Sequence, residues 1–178
     1  MYQDVIEFWF HEIDEEMWWK KDTEFDQLIQ NRFGELLERA AAGELYDWRA
    51  NALGSLAEVI LLDQFPRNMY RGNPQSFAYD PIALVLAQTA IARGFDQELS
   101  GAQRHFLYMP FMHSESKQIH VEAVRLFATL ENPSSLEFEL KHKTIIDRFG
   151  RYPHRNEILG RVSTSEEIEF LNQPNSRF

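Results

Sequence analysis

Apolar side chains recur along this chain at intervals of three and four residues, the spacing that gathers them on one face of an α-helix. In FDQLIQNRFGELLERAA the stripe is Phe25, Leu28, Ile29, Phe33, Leu36 and Leu37. Thr23-Glu24-Phe25-Asp26 reads as its cap and Gly43 as its stop. Leu53, Leu56, Ala57 and Ile60 make the next stripe, which ends ahead of Pro66 because proline disfavours a helical residue before it. Asp80-Pro81 predicts a helix start, an N-cap followed by proline in the first turn, and Gly94 ends the segment IALVLAQTAIAR. That segment is apolar round most of its circumference, which predicts a central helix.

The pattern continues to the C-terminus. A short helix is expected over residues 102–109, before Pro110. Ser114 then caps a longer one that carries Ile119, Ala123, Leu126, Phe127 and Leu130. Asn132-Pro133-Ser134-Ser135 reads as a turn, and a helix from about 136, with Phe138, Ile145, Ile146 and Phe149, stops at Gly150. Thr164-Ser165-Glu166-Glu167 spells a capping box for a last helix. No segment alternates as a strand would, no repeat is legible, and no loop is long enough to link domains. The expected fold is a single all-α domain covering residues 1–178.

Composition narrows the function classes. Aromatic residues are 13% of the chain, 14 of them Phe, so large rings should dominate the interior. FWF at 8–10 and Trp18-Trp19 read as core or as a hydrophobic lid. There is no cysteine, which excludes disulfides and thiol catalysis. No apolar run approaches a membrane span, and the acidic start MYQDVIEF does not read as a signal peptide, so a cytoplasmic location is expected. The formal charge of −10 argues against nucleic acid and anionic lipid as partners.

That charge is uneven. Between Lys141 and Arg161 stand six bases against two acids, whereas the first thirty residues hold nine acids against Lys20 and Lys21. RFGRYPHRN at 148–156 concentrates Arg148, Arg151, His154, Arg155 and Asn156, and FPRN at 65–68 echoes YPHRN. Such a segment either docks on acidic parts of the same chain or converges on an external anion. Asp63 and Glu115 fall on the apolar sides of their helices, where a carboxylate needs a cation or several donors. Together with Arg67, Asn68 and Arg71, the basic segment suggests a polar pocket for a small anionic ligand, carboxylate or phosphate. In it Asp63 and Glu115 would support the arginines.

HSE at 113–115 invites a catalytic reading with His113 as base, Ser114 as nucleophile or Glu115 as acid. Against the nucleophile, Ser114 suits a helix cap, neighbouring side chains diverge, and no G-x-S-x-G motif is present. His113 and His154 remain as general acid–base candidates, with Glu115 beside them. The six histidines make no metal-ligand motif, so neither a metal nor a cofactor is expected; His142 falls in line with Phe138, Ile145 and Phe149 and reads as a hydrogen-bonded core residue.

The segments VIEFWF, FDQLIQNRF, LLDQFPRNMYRG, FAYD, FLYMPFMHSE, IIDRFGRYPHRNEILGR and STSEEIEFL, in this order from about residue 3 to 171, resemble the domain of unknown function 924 family. Phe111 and Tyr152 stand where the family pattern has Leu or Phe. The resemblance implies a tetratricopeptide-like helical superhelix without the repeats being legible. It implies no activity, cofactor or catalytic residue, but it places Asp63, Gln64, Arg67, Asn68, Arg71, His113, Glu115, Arg148, Arg151, His154, Arg155 and Asn156 inside the family's motifs. Two other functions stay open: a helical module for a peptide or protein partner, and a small-molecule hydrolase using His113 or His154.

Overall fold

Helices follow one another through the whole computed structural model, which describes residues 1–174 and 176 and has no strand among them. Helix α1 (Tyr2–Glu7) widens into a π-helical turn over Phe8–Glu12. Then come α2 (Thr23–Ala41), α3 (Ala52–Asp63), the short α4 (Phe65–Met69) and α5 (Asp80–Ala92). The C-terminal part holds α6 (Gly101–Met112), α7 (Lys117–Phe127), α8 (Pro133–Phe149) and α9 (Ser165–Leu171). None of these helices is long and apolar enough to cross a membrane.

The central helix is α3, not α5 as the apolar pattern suggested. Every residue of α3 from Gly54 to Asp63 is buried, and α1, α2, α4, α5 and α6 all pack on it. A 3-10 turn over Tyr46–Ala50 closes its start so tightly that a Cβ on Gly54 would lie 2.1 Å from the Trp48 carbonyl oxygen. Helix α5 buries only Ala83, Leu86, Ala87 and Ala90 and leaves Val85 58% exposed. Its alanines let the backbone approach α3 closely, so one narrow face suffices and the large apolar residues of the opposite face stay outside. Trp9, Phe8, Phe33, Phe65 and Phe106 fill the space beside α3. Each such ring contributes roughly 1.5–3 kcal/mol by leaving water.

Several helix ends differ from the sequence reading for local reasons. Asp22, one residue earlier than expected, caps α2 by accepting from the backbone N–H groups of Glu24 and Phe25. Helix α6 runs through Pro110 to Met112 instead of stopping before it. Proline forfeits one hydrogen bond and crowds the preceding turn, but the buried side chains of this last turn hold it in helical register. Ser116, and not Ser114, caps α7, so residues 113–116 form a connecting turn in which Ser114 Oγ accepts from Ser116 N at 3.2 Å. Asn132 caps α8, which starts at Pro133, and the Thr164–Glu167 capping box is present. These ends place Asp63 at the close of α3, Arg67 on α4, Asp80 at the opening of α5 and His113 at the close of α6.

Candidate functional site

Asp63 has no solvent-accessible side-chain surface. Its carboxylate stands 2.8 Å from His113 Nδ1, accepts from Gln64 Nε2, and lies 3.6 Å from Arg67 Nη1. Burial works to raise its pKa, but His113, Arg67 and Gln64 outweigh that and hold it below the ordinary carboxylate range. Burial and the Arg67 charge in turn lower the pKa of His113, against the pull of Asp63. The histidine is therefore neutral at pH 7, with hydrogen on Nδ1 for Asp63 and a lone pair on Nε2.

Asp80 is the hinge of the neighbouring charges. Arg67 donates to both of its oxygens at 2.9 Å and also to the Asp63 backbone carbonyl. Arg155 donates to Asp80 Oδ2 and to the His113 carbonyl, each at 3.1 Å. The Arg155 guanidinium lies over two rings, 4.5 Å from Phe77 and 4.7 Å from Tyr152, a geometry that suits a planar cation. Burial and the charge of Arg67 lower its pKa, and its buried Nε has no hydrogen-bond partner among the described residues. Asp80 does not cap α5, for the cap residue is Tyr79, and two guanidiniums have claimed its carboxylate instead. With two carboxylates, two guanidiniums and a neutral His113, the cluster carries no net charge.

The cluster forms one wall of a cleft of about 360 Å³. Asp80, His113, Ser114, Glu115 and Arg155 supply polar lining, and Phe77, Pro81, Leu84, Pro110 and Leu159 supply apolar lining. Among the described residues, no three His, Cys, Asp or Glu side chains stand close enough together to hold a metal ion.

The other residues singled out from the sequence go elsewhere. Asn68 on α4 and Arg71 in the turn after it both donate to Asp26 on α2. Arg148 pairs with Glu166, and Arg151 pairs with Glu167 through two donors, at 2.7 and 2.8 Å. Asn156 donates to Ser163 and Glu167 and accepts from Arg161. The ring of His154 lies 5.5 Å from that of Tyr152. Glu115 reaches the cleft, but its cation is Arg161, bound through two nitrogens at 2.6 and 2.9 Å. The eight presumed ligand contacts thus divide among three places, and of them Arg67 and Arg155 meet beside Asp63 and His113. Charge alone did not tell them apart, because every one of these guanidiniums has a carboxylate partner, Asp80 serving both Arg67 and Arg155.

Four participants escaped the sequence reading. Asp80 was read as a helix cap and Arg161 only as part of the charge count, while Phe77 had no periodic role. Tyr152 was noted only as a position where the family pattern has Leu or Phe, yet its hydroxyl donates to the Met112 carbonyl and its ring supports Arg155. The usable signal was the proximity of FAYD and YPHRN to a surplus of arginine, since planar cations seek rings as well as acids.

The family described as bacterial protein of unknown function, DUF924, matches residues 5–175. The chain belongs to this family. A solved structure of a protein of unknown function from Agrobacterium tumefaciens is 40% identical, with 96% of each chain covered and a TM-score of 0.92. No curated protein matches the chain. Membership accounts for the order of the motifs and assigns none of these residues a task.

Proposed function

We propose that the cleft beside His113 binds a small molecule that joins an apolar body to a single anionic group, such as a carboxylate, and that His113 exchanges a proton with it. The observation that carries this reading is the buried Asp63–His113 pair at the cleft wall, with Arg155 in the same wall. Asp63 fixes the ring and its tautomer, which leaves Nε2 as the basic nitrogen. Arg155 lies over two rings and offers the anion a cation whose charge Asp80 already balances. A compensated wall suits a monoanion better than a polyphosphate, whose charge it has no surplus to meet. Phe77, Leu84, Pro110 and Leu159 would cover the apolar body.

A thermal-shift screen of short and long carboxylates, phosphate and nucleotides at low salt tests this. Apolar monocarboxylates are expected to raise the melting temperature of the wild type, and folded His113→Gln and Arg155→Lys proteins to lose most of the rise. Silence from every carboxylate, or equal shifts in both folded variants, would end the reading.

A further inference from the structure

Three consecutive carbonyls, at the last residue of α6 and in the turn after it, each face a side chain, two of them from residues 152–155 and one from His120 on α7. Tyr152 Oη donates to Met112, Arg155 Nη2 donates to His113 at 3.1 Å, and His120 Nε2 lies 2.8 Å from the Ser114 oxygen. The same His120 nitrogen stands 3.2 Å from Tyr152 Oη, whose proton is already given to Met112. A carbonyl only accepts, and that hydroxyl has only lone pairs left, so His120 Nε2 must carry hydrogen.

On the other side of the ring, Nδ1 is 2.7 Å from Glu139 Oε1, and neither side chain has any accessible surface. Two bare acceptors at that separation would repel each other in a dry interior, so a second proton lies between them. The pair is neutral as a whole, whether that proton sits on nitrogen or on oxygen. Burial raises the pKa of Glu139 against the opposing pull of His120, and its other oxygen has no hydrogen-bond partner among the described residues.

We infer that Glu139 and His120 form a proton-dependent latch on the cleft wall, closed while the pair holds two protons and opened by the loss of one. The direction follows from the count. With one proton left, Nδ1 keeps it against the naked Glu139 carboxylate, and Nε2 then turns a lone pair toward the Ser114 and Tyr152 oxygens. Ser114 lines the cleft and its carbonyl, which can only accept, loses its tie to α7, whereas the Tyr152 hydroxyl can still donate to Met112 or to the bare nitrogen. The charged and titratable neighbours are His142 and Lys143 on α8, Tyr152, His154 and Arg155 after it, and His113 and Glu115 beside Ser114. Lys143 works against the raised pKa of Glu139, and His142 stays neutral. The latch concerns protonation and loosening of the wall, and it stands apart from any ligand.

The experiment follows the full-length chain by NMR as pH rises from neutral. Glu139→Gln is the informative variant, because its amide can donate to Nδ1 while Nε2 keeps its hydrogen, which preserves both bonds without a titratable proton. At neutral pH the wild type should show protected downfield protons on both ring nitrogens of His120, and the Nε2 proton should disappear as pH rises while the one facing Glu139 stays. Amides of residues 113–116 should then exchange roughly tenfold faster than in Glu139→Gln, the loss of about one hydrogen bond. Absence of the bridging proton at neutral pH, or the same pH dependence in both proteins, would overturn the inference. Should Glu139→Gln fail to fold, the wild-type proton signal and its titration decide alone.

Discussion

Asp63 lies out of reach of solvent, and His113, Arg67 and Gln64 share its charge. Arg71 stands 37% exposed and meets Asp26 at the surface. Both belong to ion pairs, yet their surroundings give them different weights. Breaking a buried pair leaves an uncompensated charge in a poor dielectric, whereas an exposed pair is largely replaced by water. Asp63→Ala is therefore expected to cost about 3–5 kcal/mol, and Arg71→Ala at most about 1 kcal/mol. Urea denaturation of the two variants measures both. Near-equal losses would show that Asp63 is not a centre of stability.

At the scale of elements, α3 and α5 look alike as strings of apolar letters and differ in use. Helix α3 is covered by helices on all sides, and α5 leans on it through alanines. Ala87→Leu should therefore force the two helices apart and cost about 1–3 kcal/mol, while Val85→Lys on the outer face should change stability by no more than about 0.5 kcal/mol. Thermal melts of both variants check this, and a costly Val85→Lys would return α5 to the interior. The C-terminal elements are joined by polar contacts more than by apolar ones. Glu167 accepts from Arg151, Thr164 N and Asn156, and the Arg151 hydrogen bonds lead in lowering its pKa to about 2. That arrangement explains why the basic segment is basic: it docks on the acidic first turn of α9, on Asp80 and on Glu115.

The whole molecule should feel acid through its buried histidines. Burial lowers His105 to about 4 and His142 to about 3, so the native state refuses protons that the unfolded chain accepts near 6.5. Their contribution to stability is complete above pH 6.5 and is lost as pH falls toward 4 and then 3. The urea midpoint should accordingly fall between pH 7 and pH 5, and His142→Gln should flatten part of that slope. An unchanged midpoint would mean that these rings are solvated.

Helix periodicity, the cap chemistry of Thr164 and the glycine stop at Gly150 belong to neighbours in the chain, so the all-helical fold was legible from the sequence, as was the hydrogen-bonded core place of His142. So was the need of Asp63 for a partner, because a carboxylate on an apolar stripe has no water to turn to. Which arginine answered which acid was decided only by the tertiary structure, since Arg67 and Arg155 stand 88 residues apart in the sequence and meet at Asp80. Periodicity says which face of a helix is buried; only the packed arrangement of helices says what that face will meet, and the electrostatics of a buried charge depend on the latter.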